Sequence, residues 1–143
     1  MTESPALESS LSNNKNTSKE VSDEELLKVI ADFLEMGYVE NIVAMFKQDP
    51  RYYGWVGTLL EDERFAVRLG VSVLFEYLVE DCQDQLHLAI PSLATALRHK
   101  TSWVRGEAIS VLAIIDSTEA IDLIQTMAED PAPEVKALVL DIL

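Results

Sequence analysis

The chain has 143 residues, 48% hydrophobic and 25% charged, a composition that supports a domain with its own core and excludes a wholly disordered polymer. Its net charge of −14 repels phosphate backbones and forgoes the counterion release that drives most nucleic-acid binding, so DNA and RNA are unexpected partners. The single cysteine, Cys82, excludes an intrachain disulfide and a thiolate cluster, and His87 and His99 lack matching ligands, so neither a metal nor a cofactor is expected.

Residues 1–20 are rich in Ser, Asn, Thr and Glu without apolar periodicity, and a disordered tail is the expectation. They lack the basic start and apolar run of a secretory signal. No later segment reaches the roughly eighteen apolar residues of a membrane span. A soluble, cytoplasmic protein without membrane contact follows as an expectation, its folded part being residues 21–143.

Ser22-Asp23-Glu24-Glu25 is a capping box that opens a helix. Leu26, Leu27, Ile30, Phe33 and Leu34 then recur at helical spacing, and Gly37 supplies the left-handed residue that ends it. A second helix over 39–47 turns Ile42, Val43 and Phe46 inward and stops before Pro50. This pair, 21–48, reads as an N-terminal cap.

From Pro50 onward one pattern is spoken three times. Val67-Arg68, Val104-Arg105 and Val135-Lys136 each open a segment with apolar residues at the fourth place (Val71, Ala108, Val139), the seventh (Leu74, Val111, Ile142) and the eighth (Phe75, Leu112, Leu143). Only a 3.6-residue period brings those places onto one face. Matched apolar places also precede each Val: Leu60, Leu97 and Ala128 by seven, Val56, Leu93 and Ile124 by eleven. The spacing predicts first helices at 50–60, 88–98 and 118–129 and second helices at 63–80, 102–115 and 133–143. Three units, 50–80, 88–115 and 118–143, would each be an antiparallel helix pair, stacked into an all-α superhelix, or solenoid.

These residues resemble the HEAT repeat family, particularly its short variety of about thirty residues seen in phycobilisome lyase subunits. The resemblance implies a ladder of turns, in which an Asp six places before the Arg that follows Val joins neighbouring repeats. Asp62 with Arg68 and Asp130 with Lys136 fit that spacing, whereas His99 stands in the Asp position before Arg105. The resemblance also implies that the second helices line a concave face. The places left over from the core stripe there are Leu69, Val73, Glu76 and Tyr77, then Glu107, Ser110 and Ile114. Leu69, Val73, Tyr77 and Ile114 make an apolar patch edged by Glu76, Glu107 and Asp141, suited to a basic or amphipathic segment of another protein; the alternative is that they complete interhelical packing.

Trp103 precedes Val104 on an exposed turn by register and Trp55 lies in Tyr52-Tyr53-Gly54-Trp55; each is a binding anchor or structural filler, and for Trp55 filling space where the cap meets the repeats is the first reading. Acids gather at loops, at 61–63, at Glu80, Asp81 and Asp84, at Asp116, Glu119 and Asp122, and at Glu129-Asp130, as a solvated rim or a docking strip. The last helix carries Leu138, Val139, Leu140, Ile142 and Leu143 without a polar outer face. Either the chain is part of a longer array or that face is covered, for instance by self-association. No nucleophile motif or phosphate-binding loop appears, and no catalytic residue is assigned. The expectation is a non-catalytic scaffold or adaptor that binds a partner protein; the resemblance supplies the alternative, an accessory subunit of a bilin chromophore lyase.

Overall fold

Residues 21–143 are described by a computed structural model, and every regular element among them is helical. Helix α1 (Asp23–Glu35) starts on the capping box: the Glu25 N–H donates to Ser22 Oγ and the Ser22 N–H to Glu25 Oε1, both at 3.1 Å. It ends on Gly37 at φ +86°. There the Tyr38 N–H reaches back to the Phe33 carbonyl and the Gly37 N–H to Leu34, the paired bonds that close a helix through a left-handed residue. Helix α2 (Val39–Gln48) buries Val39, Ile42, Val43 and Phe46. The expected tail, residues 1–20, lies outside the described residues.

The first helices are shorter and more tightly wound than their periodicity predicts. Pro50–Trp55 is a 3-10 segment, capped by Asp49 and followed by the one-turn α3 (Val56–Leu59). Gln83–Ala89, of which 83–87 is expected as a connection and 88–89 as the start of a helix, is a second 3-10 segment that leads into α5 (Ile90–Ala96). A 3-10 winding eclipses residues three apart, and Leu86 and Ala89, so spaced, are both buried. The polar run Gln83-Asp84-Gln85 hides this in the sequence. Helix α7 (Thr118–Gln125), capped by the Ser117 hydroxyl, also stops short of 129.

The second helices lie close to their predicted bounds, as α4 (Phe65–Asp81), α6 (Ser102–Ile115) and α8 (Pro133–Ile142). Their repeated apolar places form the core. Val67, Val71, Leu74 and Phe75 on α4, Val104, Ala108, Val111 and Leu112 on α6, and Val135 and Val139 on α8 are all buried. Leu143 alone among the eighth-place residues is exposed, at 56%. Helix α4 packs along α6 and α6 along α8, while α5 and α7 both pack on α6. Both helices of the N-terminal hairpin pack on α4. An aromatic chain ties this end together: Phe46 of α2 meets Tyr52 and Tyr53 edge-on or tilted, and Tyr53 meets Phe75 of α4, with centroids 4.9 to 6.5 Å apart. Trp55 is half-buried and stacks edge-on against Tyr52 at 5.0 Å, which places it in the filler position expected of it.

Two glycines mark close helix contacts. A Cβ on Gly57 would sit 2.6 Å from the Ser92 carbonyl oxygen, and one on Gly70 2.9 Å from Leu34 Cβ. The first brings α3 against α5, where the Gly57 N–H donates to Ser92 Oγ at 2.7 Å. The second seats α1 on α4.

Candidate partner-binding surface

Three turns share one local device. A side-chain acceptor takes the backbone N–H two residues on: Asp62 Oδ1 from Arg64 at 2.9 Å, His99 Nδ1 from Thr101 at 3.0 Å, Asp130 Oδ1 from Ala132 at 2.9 Å. Histidine thus serves as the acceptor where the repeat pattern has aspartate. The repeat arginines then close each turn from the other side. Arg68 Nη1 donates to the carbonyls of Asp62 and Glu63, and Arg105 Nη1 to those of His99 and Lys100.

The remaining guanidinium nitrogens reach the next unit. Arg105 donates to both oxygens of Asp130 at 2.8 Å, a bidentate pair whose side chains are 12% and 3% exposed. Its hydrogen bonds hold the Asp130 carboxyl below the usual carboxylate range, against the opposing effect of burial. Arg68 finds no carboxylate at His99 and instead donates to Glu107 Oε2 on α6 at 2.8 Å. Its expected partner, the Asp62 carboxylate, is occupied by Arg64 in a two-point pair at 3.0 and 2.9 Å, which lowers the Asp62 pKa. Lys136 stands 3.8 Å from Glu129 rather than Asp130.

This network also claims two of the predicted contact residues. Trp103 lies in the first turn of α6 with the Arg68 guanidinium 4.3 Å above its ring, and Phe65 flanks the same guanidinium at 5.5 Å. Glu107 holds the guanidinium edge. Both residues are therefore part of the α4–α6 joint. Ser110 and Ile114 are half-buried on α6.

The other predicted residues fall on the outer side of α4. Leu69 is 51% and Tyr77 45% exposed, Val73 is half-buried and Glu76 is exposed. Val73, Glu76 and Tyr77 come together at shallow hollows along the seam with α2; Leu69 does not line them. One hollow, of about 370 Å³, is lined by Val73, Glu76, Tyr77, Glu80 and Asp81. Another is shared with Tyr38 and Glu40, and a third with Val43, Ala44 and Lys47. Tyr77 lines all three. The periodicity of α4 exposes Tyr77, but the contribution of Tyr38, Glu40 and Val43 depends on α2 folding back onto α4, which no local pattern encodes.

A separate hollow between α1 and α3 is rimmed by Arg64, whose guanidinium already contacts Asp32, Glu35 and Asp62 at 2.8 to 2.9 Å. No group of three or more metal-ligating side chains is clustered among the described residues, and none of their helices is long and apolar enough to cross a membrane. On α8, Leu140 is 73% exposed.

Residues 71–143 match the family described as HEAT repeats, a stretch that begins inside α4 and runs through α5, α6, α7 and α8. No curated protein and no solved structure matches the chain. With just over half of its length matched, the chain belongs to the HEAT repeat family.

Proposed function

We propose that the protein is a non-catalytic scaffold or adaptor, in which the helix pairs stack as a solenoid and the outer side of the second helices, its concave face, binds a partner protein. HEAT repeats generally mediate protein–protein interaction. The single observation that carries the reading here is the uncovered apolar stripe on α4, where Leu69 and Tyr77 are about half exposed although Val67, Val71, Leu74, Phe75 and Leu78 on the opposite face are buried.

Electrostatics support a structural use of the carboxylates. Asp32, Asp62, Asp130 and Glu134 all lie below the usual range, held there by bonds from Lys28, from Arg64, from Arg105, and from a backbone N–H with the Ser102 hydroxyl, respectively. A general acid working near neutral pH requires the opposite shift. In this reading 21–48 caps the stack, 50–80, 88–115 and 118–143 are its units, and the Asp62, Arg68, Arg105, Asp130 and Lys136 turns join them. The protein works in the cytoplasm, and Leu140 on α8 marks a further face for self-association.

Affinity purification with mass spectrometry tests the scaffold role. Leu69→Asp combined with Tyr77→Asp should remove the specific partners while circular dichroism stays helical. Retention of every partner would discard the α4 face. The lyase reading rests on the resemblance alone; visible absorbance and an added mass after co-expression with bilin would put it in place of the scaffold.

A further inference from the structure

We propose that the seam between α2 and α4, centred on Tyr77, docks a basic amphipathic helix of a partner protein; this rests on the protein-binding reading and narrows it to one place and one chemistry. The floor of the seam is apolar, with Val73, Tyr77 and Val43 beneath and Tyr38, 52% exposed, at one end. Its rim is acidic, with Glu40, Glu76, Glu80 and Asp81. The one cation lining it, Lys47, faces Asp81 at 3.6 Å. Among the described residues Glu40, Glu76 and Glu80 make no ion pair. Glu76 and Glu80 stand one helical turn apart, a repelling arrangement that an arriving cation would relieve.

The repeat itself does not require these acids. In the aligned register, Ser110, Ala113 and Ile114 of α6 and Ser117 just past its end occupy the places that Val73, Glu76, Tyr77 and Glu80 hold on α4. The carboxylates and the tyrosine are thus peculiar to the unit that carries the α2 seam. Two helices side by side present a trough that accepts a third by ridge-into-groove packing, and α2, ten residues long, is about 15 Å of wall at 1.5 Å per residue. Charge selects the occupant. A second copy of this chain is a poor one, because it carries a net charge of −14 and most of its cations, Lys28, Lys47, Arg51, Arg64, Arg68, Arg105 and Lys136, are already paired with its own carboxylates, leaving only Arg98 and Lys100 outside ion pairs among the described residues. Nucleic acid and anionic lipid have the wrong sign.

The test uses the full chain and a fluorescein-labelled amphipathic helix of Lys and Leu, with a Glu/Leu peptide as its counterpart, read by anisotropy. The Lys/Leu probe should bind and the Glu/Leu probe should not. Glu76→Lys with Glu80→Lys should weaken binding at least tenfold, and Tyr77→Ser severalfold. Glu24→Lys with Glu134→Lys makes the same change in net charge on α1 and α8, at exposed places away from the seam, and should cost far less. A photo-crosslinking version of the probe should attach to α2 or α4 in the unaltered protein, which keeps the test sound should Tyr77→Ser lower stability. Equal losses from the two charge-reversed pairs, or crosslinks confined to α6 and α8, would overturn the seam while leaving the scaffold role standing. Failure of the Lys/Leu probe to bind would overturn the basic occupant, whereas the scaffold role fails only if no specific partner copurifies.

Discussion

Arg105 and Asp130 join two turns through a pair withdrawn from water, so removing one partner strands the other. Arg105→Ala should lower the unfolding free energy by about 3 kcal/mol, as for a broken buried pair. The pH dependence follows from the sign of the shift. Asp130 is depressed in the folded protein, so its contribution is complete above the unfolded value of about 3.9 and is lost as pH falls through the lower folded value. Urea unfolding at neutral pH and near pH 3 should therefore show the gap between wild type and Arg105→Ala narrowing in acid; a gap that held constant would remove Asp130 from the account. Arg68 tests the irregular rung. Its bond to Glu107 stands in for the carboxylate missing at His99, so Glu107→Ala should cost about 2 kcal/mol, the worth of a partly buried charged hydrogen bond. With His99→Asp in place, Arg68 has an acid at the turn, and the same substitution should cost less than half as much. Glu61, 4.0 Å from His99 Nε2, opposes the new carboxylate, so the coupling between the two sites is the informative quantity and the stability of His99→Asp alone is not. Additive costs would show that the two rungs are independent.

Helix contacts divide the glycines into two kinds. Gly57 and Gly70 sit where another backbone comes within 3 Å of an added Cβ, whereas the nearest atom to one on Gly106 is Leu138 Cδ2 at 3.9 Å. Alanine at Gly57 or Gly70 should cost about 2 kcal/mol by overpacking, and alanine at Gly106 should gain about 0.5–1 kcal/mol through helix propensity. Thermal melts of the three variants would check the order, and equal effects would reject the contact argument. The sequence hints at this division, since Gly57 and Gly70 each follow an apolar residue whereas Gly106 stands between Arg105 and Glu107 in the outward register of Leu69, but the size of the effect lies in what approaches from a neighbouring helix. The second helices were readable for the converse reason: Val67, Val104 and Val135 each begin a stripe whose period is a property of the helix itself. The Ser22 capping box and the Gly37 stop were readable too, being complete within a few residues. The 3-10 segments were not, since Tyr52 and Tyr53 or Leu86 and Ala89 are turned inward by the packing of the two segments on each other and on neighbouring helices. The proposed contact surface was half readable. The outward register of α4 named Val73, Glu76 and Tyr77, but the same register offered Trp103 and Glu107, which Arg68 draws into the α4–α6 joint.

Twenty-five carboxylates against eleven basic side chains set a field that no individual pair describes. Pairs such as Arg105 with Asp130 attract locally, but the acids left over repel one another across the folded body and relax when the chain expands. Salt acts on the two unequally. It screens the dispersed repulsion between exposed groups, while a pair only 12% and 3% exposed is sheltered from it. Raising sodium chloride from about 0.01 M, where the screening length is about 30 Å, to about 0.15 M, where it is about 8 Å, should therefore stabilise the protein. A relief of about 1 kcal/mol would move the melting temperature up by about 2–4 °C for a chain of this size. The same addition should weaken the Lys/Leu probe at the α2–α4 seam, since that attraction acts between exposed charges. One ion thus drives two readouts in opposite directions, stability up and affinity down. Scanning calorimetry and anisotropy on one salt series measure both, and a melting temperature that fell with salt would mean that exposed ion pairs outweigh the surplus negative charge.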